Sequence, residues 1–301
     1  MEKLERAVVT GATGFVGRAL AARLPCPAAG LGLGADGWRE RLARADLRGA
    51  TIFHLAARVH RAGERDDAAY ERDNAGKTAV LAEAAAAAGA RRLVFLSSAK
   101  VNGEESGARA FQPADPPAPR DAYARSKWAA ERELARIAER TSLEVVIVRA
   151  PLVFGAGAAG NLRALLRLCD TAWPLPFAAL ANRRSFVHVD DLARLLVACA
   201  LAPAAAGATF FAAHREPFST ARLVTLLREA LHRPRHLFAV PPRALEAAAT
   251  LLGQGEAVRR LTRSFEVDAS ATEAALGWKA EVAIEAAALE TGKAYRPGAR
   301  P

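Results

Sequence analysis

The chain predicts an α/β fold: a doubly wound parallel sheet with helices on both faces and a smaller lobe towards the C-terminus. Three observations carry that reading. A short apolar strand, Val8-Val9-Thr10, runs into a glycine turn and then a helix beginning near Arg18. Continuous apolar runs then recur at Thr51–Ala57, Arg92–Ser98 and Leu143–Pro151, each separated from the next by a helical pattern. Such unbroken runs suit strands buried on both faces, which is what a parallel sheet needs. Alternation of strands and helices is the mark of right-handed crossovers in one sheet.

The opening turn holds Gly11, Gly14 and Gly17, three residues apart. Gly11 lets the chain turn sharply out of the strand. Gly14 keeps a Cβ out of the path of a diphosphate, and Gly17 lets the helix lie close on the strand. The helix that follows directs its unpaired N–H groups at an anion. This predicts a dinucleotide-binding turn with the spacing GxxGxxG.

Next comes a helix ending near Leu24-Pro25, then a glycine-weakened strand over Ala28 to Gly34. Asp36 is the candidate for the ribose of adenosine. No arginine closes that strand to take a 2′-phosphate, and Arg39 stands further on, which favours NAD without excluding NADP. The run Thr51–Ala57 ends in small residues near the cofactor, with His54 expected as a hydrogen-bonded core histidine. Asn74 to Ala88 reads as a helix stopped by Gly89. Arg92–Ser98 is a buried strand ending in hydroxyls. A Gly-, Pro- and Asp-rich loop over 102–120 leads to a helix near Asp121. The strand Leu143–Pro151 then meets a loop marked by Gly155, Gly157 and Gly160. From Asn161 the pattern loosens, so residues 1–160, with parts of 185–215, are assigned to the dinucleotide-binding domain. Most of 161–301 is assigned to a smaller α/β substrate-binding lobe.

Composition limits the partners. With 51% apolar and 25% charged residues the chain can bury a large core. Its net charge of +10 suits acidic ligands, but the arginines are scattered and form no basic run, so nucleic acid is not expected. The cysteines, Cys26, Cys169 and Cys199, are odd in number and far apart, which fits a reducing cytoplasm and neither a disulfide framework nor a metal site. The sequence shows no leader pattern and no apolar stretch long enough to span a bilayer.

Tyr123 and Lys127 are four apart, hence on one helical face. An unperturbed phenol titrates near 10, and a cation beside it is expected to lower that value. The pair could then remove a proton from an alcohol while hydride leaves the same carbon for a nicotinamide. Ser98 could hold the substrate oxygen.

Together these residues resemble the extended short-chain dehydrogenase/reductase family, in its NAD-dependent epimerase/dehydratase branch acting on nucleotide sugars. The likeness spans nearly the whole chain. Thr10–Gly17 matches the family's TGxxGxxG, and Phe53–Ala57 resembles its HLAA strand. Ser97–Gly103 is similar to its SSxxVYG, Tyr123 and Lys127 take its YxxxK, and Arg149–Gly155 resembles its RxxxVYG. Arg184–Leu192 resembles R-x-[FY]-[IV]-H-V-x-D-L, and Leu276-Gly277-Trp278 the late LGW.

The resemblance implies a Rossmann-type fold and cofactor contacts from Gly11, Thr13, Gly14, Phe15, Val16, Asp36, Leu55, Ala56, Ala57, Tyr123, Lys127 and Pro151. It implies catalysis by Ser98, Tyr123 and Lys127. Substrate contacts are implied from Ser98, from Asn161 to the nucleotide sugar, and from Arg184 to its diphosphate, with Arg259, Arg260 or Arg263 as a second diphosphate contact. The implied substrate is UDP-linked, and a homodimer follows by analogy. Asp190 and Asp191 are expected to cap the next helix. Two departures stand out. Ala99-Lys100 replaces the Asp-Glu pair that 4,6-dehydratases of this branch use for water loss, which disfavours dehydration. Asn102 replaces the tyrosine of VYG. The expected activity is a C4 epimerase of a UDP-hexose or UDP-N-acetylhexosamine, or a one-way 4-ketoreductase of a UDP-4-keto-6-deoxy sugar, in surface-polysaccharide precursor synthesis; a third reading, a non-catalytic nucleotide-sensing member of the family, is disfavoured because Ser98, Tyr123 and Lys127 are all retained.

Overall fold

The computed structural model describes residues 4–34, 36–59, 66–158 and 160–296. The chain opens with β1 (Ala7–Thr10), α1 (Phe15–Ala21), β2 (Ala28–Leu31), α2 (Trp38–Ala43) and β3 (Thr51–His54). Next come α3 (Asp67–Tyr70), a π-helical turn (Glu71–Gly76), α4 (Lys77–Ala87), β4 (Arg92–Ser98), a 3₁₀ turn (Ala99–Val101), α5 (Ala122–Arg140) and β5 (Glu144–Ala150). The second half holds β6 (Leu152–Phe154), α6 (Asn161–Cys169), β7 (Phe186–His188), α7 (Val189–Leu201), a 3₁₀ turn (Pro203–Ala205) and β8 (Thr209–Phe211). It ends with α8 (Thr220–Ala230), α9 (Pro242–Leu251), α10 (Gly255–Thr262), α11 (Ser270–Leu276) and α12 (Ile284–Ala294).

Six parallel strands form one sheet in the order β2-β1-β3-β4-β5-β8. The order reverses beside β1, which places the ends of β1, β3 and β4 at the crevice where such sheets bind ligands. Leu20, Leu192, Leu195 and Leu196 pack on one face with Val9 and Phe53. Leu81, Ala85, Ala130 and Leu134 pack on the other with Ile52, Leu93 and Phe95. A separate core gathers Phe154, Leu162, Phe186, Leu227 and Ile284 from the second half of the chain. β6 pairs with β7 there, outside the main sheet.

Several sequence expectations shift at their edges. α1 stops at Ala21 and not near Leu24, and β2 stops at Leu31 and not at Gly34; Gly32 and Gly34 bring no Cβ to pack on a pleated face. The helix expected from Asn74 begins earlier, at α3, and Asn74 lies inside the π turn. Asp190 and Asp191 are in the first turn of α7, where their charge suits the helix dipole. The cap is His188, whose Nδ1 accepts from Asp190 N at 3.3 Å. Asp191 is fully buried and accepts from Glu281 N and Val282 N, at 3.2 and 3.1 Å, while Trp278 Nε1 donates to its carbonyl at 3.1 Å. It therefore fastens the LGW segment to α7.

One late segment bridges two distant stretches of the chain. Residues 264–268 lie between the loop before α5 and the chain before β7: Ser106 N donates to Ser264 O at 3.1 Å, Phe111 N to Glu266 O at 2.8 Å and Ser185 N to Phe265 O at 2.8 Å.

Candidate active site

The glycine turn has the geometry its spacing predicts. Gly11 adopts φ +73°, and a Cβ there would lie 2.9 Å from Ala56 N, so the end of β1 can approach β3 only through glycine. A Cβ on Gly17 would lie 2.2 Å from Gly11 O. At Gly14 a Cβ would meet only Gly11 O, at 3.1 Å; the other directions are open, and Thr13 and Gly14 are exposed. Phe15 and Val16 begin α1 behind them. Thr10 Oγ1 sits 2.6 Å from His54 Nδ1 and accepts from Ala56 N at 3.2 Å, locking Leu55-Ala56-Ala57 beside the turn. His54 is the core histidine expected. Its Nε2 lies 2.7 Å from Thr78 Oγ1, and burial with the nearby Lys127 charge pulls its pKa down to about 3.

Asp36 is exposed in the turn before α2, several residues past the end of β2. Arg41, which sequence reasoning passed over, donates to Gly32 O at 3.1 Å and Asp36 O at 3.0 Å. It places a guanidinium in the loop where Arg39 was considered; Arg39 itself stacks on Trp38, its Cζ 4.7 Å from the ring centroid. Pro151 links β5 to β6 on the same side of the sheet.

The residues expected to handle the proton meet at the end of β4. Ser98 is buried, and its hydroxyl stands close enough to the half-buried Tyr123 phenol to favour the ionised form. α5 is started by Asp121, whose carboxylate accepts from Ala124 N at 2.7 Å. The phenol does not titrate as expected. Burial, then the Asp121 charge, pushes it up to about 12, against the opposing pull of the Ser98 hydroxyl. Lys127 does not reverse this. Its ammonium is buried over the Phe95 ring, 4.0 Å from the centroid, and burial draws its pKa down to about 7 despite Glu131. The physical reason is desolvation: both groups are moved towards their neutral forms.

Asn74 was not singled out by sequence. Its Oδ1 accepts from Arg58 N at 2.7 Å, and its Nδ2 donates to Arg58 O at 3.1 Å and to Ser126 Oγ at 2.9 Å. Ser126 Oγ in turn donates to Tyr123 O at 2.8 Å. The π turn thus sends a side chain to the first turn of α5, a contact that no local sequence signal marks.

Asn102 explains its own departure from VYG. It is buried, accepts from Arg149 Nη1 at 3.0 Å and donates to Gln112 O at 3.3 Å. Arg149 also holds Glu131 and donates to Pro113 O at 3.1 Å. Here an amide does the fastening that ties β5 to the loop leading into α5.

On the substrate side, Arg184 donates to Arg263 O at 2.9 Å and lies over Phe265. Burial lowers its pKa to about 10, while the Glu104 charge supports the cation. Arg263 makes a two-point pair with Glu246, at 2.7 and 2.9 Å. Arg259 is exposed, and Arg260 lies 3.7 Å from Glu256. The Asn161 backbone opens α6; its side chain lies outside the described residues. Among the described residues no cluster of His, Cys, Asp or Glu could hold a metal ion, and no helix is long and apolar enough to cross a membrane.

A parallel six-stranded sheet with a glycine turn at its crevice and a Ser-Tyr-Lys set at the end of β4 defines a nicotinamide-dependent dehydrogenase/reductase fold. Comparison with known proteins makes the class specific. The model of the NAD dependent epimerase/dehydratase family matches residues 36–212. A UDP-glucose 4-epimerase from Vibrio cholerae is 35% identical over 249 residues, covering 81% of this chain and 76% of that protein. In three dimensions the chain is similar to RMD from Pseudomonas aeruginosa complexed with NADPH, with TM-score 0.77 and 22% identity over 96% of this chain and 97% of that one. It is also similar to a UDP-glucose 4-epimerase from Thermotoga maritima with UDP-glucose, with TM-score 0.76 and 20% identity over 96% and 98%. The chain belongs to the NAD dependent epimerase/dehydratase family and is an NAD(P)-dependent enzyme.

Proposed function

We propose that this enzyme epimerises C4 of a UDP-linked hexose or N-acetylhexosamine through a 4-keto sugar, supplying surface-polysaccharide precursors. The observation that carries the reading is the meeting of the buried Ser98 at the end of β4 with the Tyr123 phenol, one helical turn from the buried Lys127. The Vibrio cholerae relative supports the substrate class.

The opening turn has room for a dinucleotide: its glycines leave Thr13 and Gly14 exposed, with Leu55–Ala57 alongside. Gly11–Val16, Leu55–Ala57 and Pro151 would hold the cofactor, with Asp36 at the ribose of adenosine. The nicotinamide, when bound, supplies a hydride acceptor that can return the hydride to either face of the sugar. Ser98 donates a hydrogen bond to the sugar oxygen at C4. Tyr123, as the phenolate, takes the proton from that oxygen as the carbonyl forms and, as the phenol, gives it back as the carbonyl is reduced. Lys127 stands on the same helical face and supplies the nearby cation in its protonated form. Arg184 and Asn161 hold the diphosphate and nucleotide, and the guanidinium presents planar, paired donors to phosphate oxygens. Ala99, an aliphatic group where a dehydratase keeps an acid, has no proton to give to a leaving hydroxyl.

The test is incubation of the purified protein with UDP-glucose or UDP-N-acetylglucosamine and chromatography of the products. Interconversion of the C4 epimers without net NAD(P)H consumption supports the reading. One observation favours a second reading, a 4-ketoreductase: the phenol is held protonated, as an acid that protonates a ketone must be. Stoichiometric NAD(P)H oxidation by a UDP-4-keto-6-deoxy sugar, with no epimer exchange, would select it.

A further inference from the structure

Among the described residues five large apolar side chains are exposed: Val59, Trp173, Phe238, Leu251 and Leu252. Four of the five lie on the turn after α6 or between Phe238 and the end of α9. Neither stretch has a part in the chemistry at Ser98 and Tyr123. The two are joined: Leu175 bridges to Leu237, and Phe238 N donates to Leu175 O at 3.0 Å. Trp173 and Phe238 therefore stand at the two ends of one short ladder. Four residues past Phe238 the chain enters α9; Leu251 ends that helix and Leu252 caps it.

α9 turns an apolar row outwards. Its inner face is accounted for, with Leu245 against the core of the second half of the chain, Ala249 buried, and Glu246 holding Arg263. Ala244, Ala247, Ala248 and Leu251, at i, i+3, i+4 and i+7, are all exposed. That spacing makes one continuous stripe, of the kind a helix ordinarily buries. At its end Leu251 is 89% exposed and Leu252 78%, and Gly253, at φ +71°, then turns the chain towards α10. The leucines thus project from the tip of a helical hairpin.

The charge beside the stripe has one sign. Residues 232–243 hold Arg233, Arg235 and Arg243 and no acidic residue. All three arginines are exposed. Arg233 reaches back to Asp170 at 3.0 Å and Arg235 to Glu229 at 2.5 Å, while Arg243 has no ion partner among the described residues. Arg243 stands in the first turn of α9, where the helix dipole disfavours a cation, so its charge does not serve the helix. The loop that carries the other two is fixed from beneath. The buried Arg228 donates from Nε to Pro234 O at 2.5 Å, and Arg233 N donates to Arg228 O at 2.8 Å.

We propose that this face docks on a lipid bilayer whose surface carries anionic headgroups. Leu251 and Leu252 enter the acyl boundary, Trp173 lies at the level of the headgroups, and the arginines face their phosphates. Shape and charge together select this occupant. Two leucines at a hairpin tip form a wedge, which a fluid apolar layer admits without a matching pocket. Tryptophan and arginine both join an apolar body to a polar end, and so suit a membrane interface. An apolar helical stripe flanked by basic side chains is the pattern of a surface-bound helix. The docking is peripheral, since no helix among the described residues is long and apolar enough to cross a membrane. The inference goes beyond the proposed sugar chemistry and does not rest on it.

The test is sedimentation of the full chain with vesicles, without nucleotide or sugar. Vesicles of equal parts phosphatidylcholine and phosphatidylglycerol should carry the protein down, pure phosphatidylcholine much less, and added salt should release it. Leu251→Ser combined with Leu252→Ser should weaken the partition about tenfold or more. Arg243→Gln should weaken it about three- to fivefold. Val59→Ser, an exposed apolar group outside this face, should leave it unchanged. Both leucines are exposed, so the double variant should melt with the unmodified chain. The chain has four tryptophans, Trp38, Trp128, Trp173 and Trp278; mixed vesicles should shift the emission to the blue, and Trp173→Phe should remove the shift. No sedimentation with the mixed vesicles overturns the inference, as does equal binding to both vesicle types. Binding that survives loss of the two leucines, or that Val59→Ser weakens as much, overturns it too. So does a dimer in lipid-free ultracentrifugation that the double leucine variant abolishes, because a second copy of the chain would then occupy the face.

Discussion

Replacing Glu131 with alanine should destabilise the fold more than any exposed ion-pair deletion in the chain. Its carboxylate is 1% exposed and the Arg149 guanidinium 5%. Arg149 Nε donates to the two oxygens at 3.1 and 3.2 Å, Nη2 to one at 2.6 Å, and Ser97 Oγ to the other. Water cannot replace these partners, so the variant leaves a buried guanidinium with only its bonds to Asn102 and Pro113, and a buried hydroxyl without its acceptor. Breaking a buried pair from one side costs about 3–5 kcal/mol. Domains have roughly 5–15 kcal/mol in all, so a third or more of the total is at stake. Glu131→Gln keeps an acceptor for Ser97 and should cost less than Glu131→Ala. Urea unfolding followed by tryptophan fluorescence gives both numbers. The reverse pair, Arg140–Glu83, joins exposed side chains, and Glu83→Ala should cost under about 1 kcal/mol. A Glu131→Ala loss below about 1 kcal/mol would refute the argument, because it would mean that the site is wet or collapses without strain.

Tyr123→Phe should lower kcat for sugar conversion about 10²–10⁴-fold while NAD(P)H binding, read by nicotinamide fluorescence, stays within a few-fold; activity near the starting level would remove the assigned proton carrier. Gly17→Ala forces a Cβ to within 2.2 Å of Gly11 O, so cofactor binding should be lost and thermal stability reduced, as a melting curve with and without NAD would record. His54 should make the fold acid-sensitive: its folded pKa, about 3, lies below the unfolded value near 6.5, so the unfolded chain binds the extra proton between those values. Stability is then complete above pH 6.5 and falls by up to about 1.4 kcal/mol per unit towards pH 3, a slope that His54→Gln should flatten. Lys127 works in the same sense at higher pH: from about 7 to its unfolded value near 10.4 the unfolded chain alone holds the proton, so stability rises with pH there, and Lys127→Met should remove that rise in urea titrations.

What the sequence made legible is what depends on chain-local rules. The glycine turn was readable because each glycine answers a contact that a Cβ would block. The buried strands were readable as apolar runs, and Ser98, Tyr123 and Lys127 because topology puts the end of β4 beside the first turns of α5. Element ends were less legible: Leu24 and Gly34 sit in turns whose limits depend on packing with distant segments. The role of Asp191 was hidden because its partners, Glu281 and Val282, are about ninety positions away in the chain. Asn74 was hidden for a similar reason, since its bond to Ser126 crosses between helices.

The sign of the Tyr123 shift was the deepest miss, and it shows why spacing alone cannot assign a pKa. Four residues on a helix guarantee a shared face but say nothing about how much water the face retains. At this site Phe95 and the sheet dry the ammonium, and Asp121 holds an anion two residues from the phenol. Desolvation then outweighs attraction, and a pair expected to meet as phenolate and ammonium is drawn towards phenol and amine. On the proposed reading, a phenol in that state is set for the reductive direction of the cycle, and the oxidative direction needs positive charge brought to it. A C4 epimerase must run both halves, so on that reading the positive charge that arrives with an oxidised nicotinamide becomes the quantity on which its rate depends.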